Sequence, residues 1–372
     1  ERTAAAVAQL EKARQTEAPA LNAWAHYSQA RRHHWGEAHA QSHDDMAKEG
    51  GEPLPKGKKG TVQPGILRPL LVLPLGQIDA STVEAWLKEE AARRPTRARL
   101  AYSLLRAFLN WCAEVPEYRG HVHADACTLM AVRQEVPKKR ARKDVLLREQ
   151  LGIWFAQVRQ VHNPIVSAYF QGVLLTGARP GELCLLRWEE VDFRWNSLIL
   201  RDKVEGDRTI PLTPYFAALL LDLKARSETP PKRPVHIRKK QADQPDAISE
   251  WKPSPWVFSS PASATGWIKD PTIQHKRACT RAGIEGLTLQ GLRRSFGSLA
   301  EWTETPAGVV AQIMGHKPSA IAEKHYRVRP LDLLRMWHTK VEGWILKHAG
   351  IEQPAEKQAP ALRMVKAQVV KP

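Results

Sequence analysis

The sequence predicts a mainly α chain of the α+β kind. An N-terminal helical domain comes first, followed by a mixed α/β domain whose helices enclose a small β-hairpin sheet. Three observations carry this. Apolar residues recur at helical spacing on both sides of a basic run, PKKRARK at Pro137–Lys143, that has no apolar periodicity. Short apolar strands are confined to LILRDKVEGDRTIPL, Leu198–Leu212, around the turn Glu205-Gly206-Asp207. The length of 372 residues exceeds one typical domain, so the run divides the chain into residues 1–136, a linker at 137–145, a second domain at 146–348 and a tail at 349–372.

Taken in order, Arg2–Arg14 and Leu21–Met46 read as helices, the second with Leu21, Trp24, Tyr27 and Trp35 on one face. His26, His33, His34, His39 and His43 lack a Cys or carboxylate set to complete a metal site, and are expected on a solvated or DNA-facing side. The chain opens at Glu1 within helical sequence, which points to an N-terminal piece preceding it. Glu49–Pro74, rich in Gly, Pro and Lys, reads as a loop near phosphate. Ser81 with Glu84 forms a capping-box pattern opening a helix through Val83, Trp86 and Leu87. A further helix is expected over Thr96–Ala113, with Leu100, Leu104, Phe108 and Trp111 as its core stripe. His121, His123 and Cys127 lack a fourth zinc ligand.

In the linker, Lys138, Lys139, Arg140, Arg142 and Lys143 are suited to lie along a DNA backbone. The second domain opens with helices near Arg148–Val161 and Pro164–Leu175. TGARPGELCLLRWEEVDF then places Pro180 at a helix start, with Arg179 in the preceding turn and Glu182 three residues on. That pair reads equally as a surface salt bridge or as a fixed guanidinium. Lys203 precedes the hairpin turn, where lysines often serve solubility. Ala225–Ser254 is polar and Pro-rich, an exposed insertion; Val257-Phe258 returns to core, and Asp270-Pro271 starts a helix to about Ala282. Leu287–Tyr326 reads as two amphipathic helices delivering Arg293 and Gly315-His316, followed by a tyrosine. Leu331–Lys347 carries Leu334, Trp337, Val341, Trp344 and Ile345 on one face, fit to cover its own core or a neighbour. Leu362–Val370 has the composition of a lone strand.

Lys and Arg number 56 against 39 Asp and Glu, a formal charge of +17, and phosphate polymers are the natural partner of such a field. Cys112, Cys127, Cys184 and Cys279 have no paired spacing and read as reduced core residues of a cytosolic protein. No run of 18 or more apolar residues indicates membrane insertion.

The order of these motifs resembles the tyrosine recombinase, or phage integrase, family. TGARPGEL is similar to the first arginine box, placing its arginine on Arg179 and its supporting acid on Glu182. The hairpin lysine falls on Lys203. The second box, usually H-x-L-R-R-[ST]-F, is here Gln290-Gly291-Leu292-Arg293-Arg294-Ser295-Phe296, so Gln290 stands where the family usually has His. Gln can hydrogen-bond but cannot shuttle a proton near neutral pH. The [LM]-G-H box is Met314-Gly315-His316, and the nucleophile falls on Tyr326. Each motif alone is weak; five in order are strong.

The resemblance implies a helical core-binding domain that clamps DNA and a catalytic domain that cuts and rejoins strands through a 3′-phosphotyrosyl intermediate and a Holliday junction. It implies a tetramer on double-stranded recombination sites, no metal, no cofactor and no ATP. A mobile-element integrase in the bacterial cytoplasm, with accessory directionality or DNA-bending proteins, is the expected setting. Two alternatives stay open: a type IB topoisomerase, which shares the chemistry, and a catalytically inactive recombinase-like regulator, which Gln290 favours.

Overall fold

The computed structural model describes residues 19–54, 59–123, 125–139, 141–202, 206–229, 252–316 and 329–355. The helix expected over Arg2–Arg14, Arg140, Lys203, the insertion beyond 229, Tyr326 and the strand expected at Leu362–Val370 lie outside these residues. The chain forms two compact units, Glu1–Ala141 and Arg142–Pro372.

The first unit contains α1 (Ala20–Arg31), α2 (Glu37–Ala47), α3 (Arg68–Leu71), α4 (Ala80–Arg93), α5 (Pro95–Glu114) and α6 (Met130–Glu135). The continuous helix expected over Leu21–Met46 is broken by a 3-10 turn at Arg32–His34 and by extended Gly36. The break folds Trp35 back onto His43, ring against ring at 3.8 Å and 13°. His43 is therefore a buried core residue, not a solvated or DNA-facing one, and burial pushes its pKa down.

The stretch expected as a loop, Glu49–Pro74, contributes Ile66, Leu67, Leu70 and Leu71 to the core, with α3 as its helical part. Trp86 Nε1 donates to the Ile66 carbonyl at 3.0 Å. The cap of α4 is Asp79 rather than Ser81: its carboxylate accepts from the Thr82 N–H at 2.8 Å and from the Ser81 hydroxyl. Those bonds, led by the one from the Thr82 backbone, lower its pKa to about 2. Of the predicted stripe on α5, Leu104 and Phe108 are buried and Trp111 packs partly buried on the core, while Leu100 is exposed; Ala101, Leu105 and Cys112 widen the buried face.

The second unit is built around α8 (Pro164–Thr176), whose residues from Val166 to Thr176 are all buried. A helix apolar on every side must be enclosed by others. Packed on it are α7 (Leu151–Arg159), α9 (Pro180–Cys184), α10 (Pro214–Ser227) and α12 (Leu289–Ala300), with α11 (Thr272–Arg281) against α7. The predicted hairpin gains a third strand: β1 (Val191–Asp192), β2 (Ser197–Leu200) and β3 (Arg208–Pro211) form an antiparallel sheet in that order. Leu198 pairs with Ile210, and both are buried.

The chain continues through α13 (Ala307–Met314) to α14 (Leu331–His348). Of the two roles open to α14, covering its own core is the one observed, through Leu334, Val341, Ile345 and Leu346. Two buried polar groups fix it there. His338 donates from Nε2 to the Leu175 carbonyl at 2.8 Å, at the end of α8. The Glu342 carboxylate caps α10, accepting the Thr213 hydroxyl and the N–H groups of Tyr215 and Phe216 at 2.9 and 3.1 Å. Gln353 returns to the same carboxylate at 2.9 Å. All four cysteines are free and buried, and no helix among the described residues is long and apolar enough to cross a membrane.

Candidate active site

Arg179, Arg293 and His316 come together where three helices begin or end. The buried α8 stops at Gly177, whose φ of +60° reverses the chain, so that Arg179 precedes the first turn of α9 with Pro180 as that turn's first residue. Gly315, at φ +73°, ends α13 likewise; the His316 N–H returns to the Ala311 carbonyl at 2.8 Å, a Schellman-type closure that leaves the His316 side chain exposed.

Arg293 projects from the middle of α12 and is 3% exposed. Its Nη1 donates to the Gly177 carbonyl at 2.7 Å and to the Met314 carbonyl at 2.8 Å, tying the two helix ends together. Arg179 bridges the same two turns from outside, with Nη2 3.5 Å from the Gly315 carbonyl. Its Nη1 is gripped by Glu182 at 2.6 Å and by Asp202. Both carboxylates are buried, with side chains 8% and 7% exposed, while the Arg179 side chain keeps 34%. The pair from the sequence is thus a fixed guanidinium rather than a loose surface bridge, and two carboxylates hold it where one was foreseen.

Gln290 lies three residues before Arg293 on α12, hence on the same side, and is exposed. The N-terminus of that helix is held by two caps. Thr288 Oγ1 accepts the Gly291 N–H at 3.0 Å, while Asp144, from the end of the basic linker, accepts the Thr288 hydroxyl at 2.6 Å and its N–H at 3.1 Å and pairs with Arg294. Burial raises the Asp144 pKa, but the bonds from Thr288 and Arg294 outweigh it and the net shift is downward. A Cβ at Gly291 would stand 2.5 Å from the Asp144 carboxylate. Of the linker's basic residues, Lys138, Lys139, Arg142 and Lys143 are exposed. Arg142 and Lys143 line an open groove of about 560 Å³ that reaches Arg294, Met314 and His316.

Asp202, Arg208 and Asp144 were not recognised as site residues in the sequence. Asp202 adjoins Lys203 and is the one with a local signal; the other two act on partners far along the chain. Among the described residues no group of three or more His, Cys, Asp or Glu side chains is placed to hold a metal ion. The site brings two guanidinium groups and an imidazole together, a set of donors suited to an anion such as a phosphodiester.

Comparison with known proteins agrees. Residues 19–134 match the phage integrase core-binding domain and residues 162–330 the phage integrase family. Prophage integrase IntF of Escherichia coli (strain K12) is 46% identical over 310 residues, covering 83% of this chain and 62% of that protein. An integrase of Streptomyces ambofaciens is 26% identical over 281 residues, covering 69% and 67% respectively. Among solved structures, a lambda integrase tetramer bound to a Holliday junction aligns with TM-score 0.57 at 14% identity, over 85% of this chain and 81% of that one. The Tn1549 transposon integrase with circular intermediate DNA aligns with TM-score 0.56 at 13% identity, over 86% and 98%. At such identities the structural likeness concerns the fold.

Proposed function

The chain belongs to the phage integrase family, and from that premise we propose that it is a tyrosine site-specific DNA recombinase of a mobile genetic element. The observation that carries this is the convergence of Arg179, Arg293 and the Gly315-His316 turn: Arg179 reaches the Gly315 carbonyl, and Arg293 joins the Gly177 and Met314 carbonyls beside them. Two arginines on the non-bridging oxygens of a scissile phosphate neutralise the charge that builds during in-line attack.

The Tyr326 phenolic oxygen attacks phosphorus as its proton passes to solvent; the bond to the 5′-oxygen breaks, and Lys203 supplies that oxygen's proton. The product is a 3′-phosphotyrosyl link and a free 5′-hydroxyl. The phosphodiester is conserved, so rejoining is the same step reversed and needs no ATP. His316 hydrogen-bonds the phosphate, Gln290 helps to place it, and Glu182 holds Arg179. The core-binding unit and the basic linker, Lys138 to Lys143, grip the DNA backbone, and four protomers on two sites exchange strands through a Holliday junction, with accessory directionality or bending proteins setting the outcome.

The test is a suicide substrate, nicked so that cleavage cannot reverse and carrying the element's own end, with wild type and Tyr326→Phe compared. A denaturant-stable adduct formed by wild type alone is the expected result. Tight, salt-sensitive binding without an adduct would favour the inactive regulator, the reading Gln290 leaves open. Relaxation of supercoils without joining of two sites would favour the topoisomerase.

A further inference from the structure

We propose that Arg208, a hairpin residue given no role in the site above, is a positioning residue that couples the Arg179 turn to the Gly315-His316 turn; this rests on the recombinase reading. Arg208 opens β3, and its side chain is only 12% exposed. Nη2 donates to Glu182 Oε2 at 2.7 Å, on the carboxylate whose other oxygen grips Arg179. Nε donates to the Ile313 carbonyl at 3.1 Å, two residues before Gly315. The guanidinium lies flat against Gly315: a Cβ there would stand 2.7 Å from Arg208 Cζ. One rigid planar group therefore sets both the carboxylate behind Arg179 and the end of the helix that presents His316.

Its remaining nitrogen argues for this role over simple packing. Nη1 is buried and has no hydrogen-bond partner among the described residues, which costs stability. An apolar side chain of similar length would fill the space without that cost. It would not hold two turns in register through a charge-assisted fork.

The test is single-turnover cleavage of the suicide substrate by wild type, Arg208→Gln and Arg208→Lys, reading rate constant and amplitude separately, with DNA affinity measured in parallel. A misplaced phosphate site lowers the rate constant, whereas a merely less stable protein lowers the amplitude. Arg208→Gln is expected to cleave about 100-fold more slowly with DNA affinity within about twofold of wild type. Arg208→Lys, which keeps the charge and one of the two bonds, is expected to recover about tenfold of that loss. A wild-type rate constant in Arg208→Gln, a loss confined to amplitude, or an equal loss of DNA affinity overturns the proposal. Should Arg208→Gln fail to fold, Arg208→Lys decides: about tenfold slower at full amplitude supports coupling, and an unchanged rate constant sinks it. Failure of the wild type to form any adduct strikes at the recombinase reading instead.

Discussion

The Gly177 carbonyl receives Nη1 of Arg293 at 2.7 Å, and Gly177 itself sits in left-handed backbone against the Phe296 ring, one turn along α12 from that arginine. A Cβ at Gly177 would stand 2.5 Å from Phe296 Cδ1, so Gly177→Ala adds an overpacked contact to a strained φ. Destabilisation of about 3 kcal/mol is expected. Denaturant titration checks it; a loss under about 1 kcal/mol would mean that the α8 end can shift freely, and that its geometry does not fix Arg293.

Glu182 is shared by two guanidinium groups, and its side chain is 8% exposed. Glu182→Gln keeps the shape and removes the charge, leaving both arginines under-compensated. Stability should fall by about 3 kcal/mol, and cleavage by a further 100-fold or so among the molecules that remain folded. Calorimetry and single-turnover cleavage separate the two effects; an unchanged cleavage rate constant would show that Arg179 is held by other groups.

His338 is neutral in the fold because burial lowers its pKa to about 4, against the pull of backbone acceptors at Leu175 and Pro211. The unfolded chain takes up a proton near pH 6.5, so this contribution is present above that pH and drains away as pH falls toward 4. Between pH 7.5 and pH 5 the loss should be about 2 kcal/mol. Glu342, one turn along, has its carboxyl pushed up by burial and is favoured by acid instead, so the difference between wild type and His338→Gln isolates the histidine. Parallel unfolding curves at the two pH values check this; an identical pH response in both proteins would refute it.

If the linker lies on phosphate, Lys138, Lys139, Arg142 and Lys143, all exposed, each release counterions on binding. Replacing all four by Gln should flatten the plot of log K against log salt by about 3.6 units and weaken binding evenly across DNA sequences. Fluorescence anisotropy from low to moderate salt measures the slope. A slope that does not move removes the linker from the DNA contact.

Gln290 cannot titrate, so Gln290→His should introduce an inflection near pH 6.5 into a cleavage profile that lacks one from this position. Single-turnover rates from pH 5.5 to 8 read it out; superimposable profiles would mean that this position does not face the phosphate.

Arg179 before Pro180 and His316 after Gly315 were legible in the sequence because they sit at helix punctuation, where Gly and Pro speak directly, and Arg293 because its helix is amphipathic. Boundaries of α8 and α11 and the end of α13 were readable for the same reason. Illegible were the residues that act across the chain. Arg208 and Glu182 are 26 residues apart, Asp144 and Arg294 150 apart, and no local periodicity links them. His43 was misplaced because a histidine-rich stretch reads as polar, while an indole face across a helix break makes one of its members a core residue. Asp79 displaced Ser81 as a cap since a carboxylate accepts a helix N–H more strongly than a hydroxyl.

The grip of Asp144 on Thr288 and Arg294 sets where such a protein can be cut and recombined by design. By sequence position Asp144 belongs to the tether, yet chemically it is part of the helix that carries Arg293. A fragment beginning at Val145 would leave that helix without its acidic cap and Arg294 without its carboxylate. Chimeras that exchange the N-terminal unit between relatives should therefore place their junction upstream of Asp144, where Lys138, Lys139, Arg142 and Lys143 are exposed.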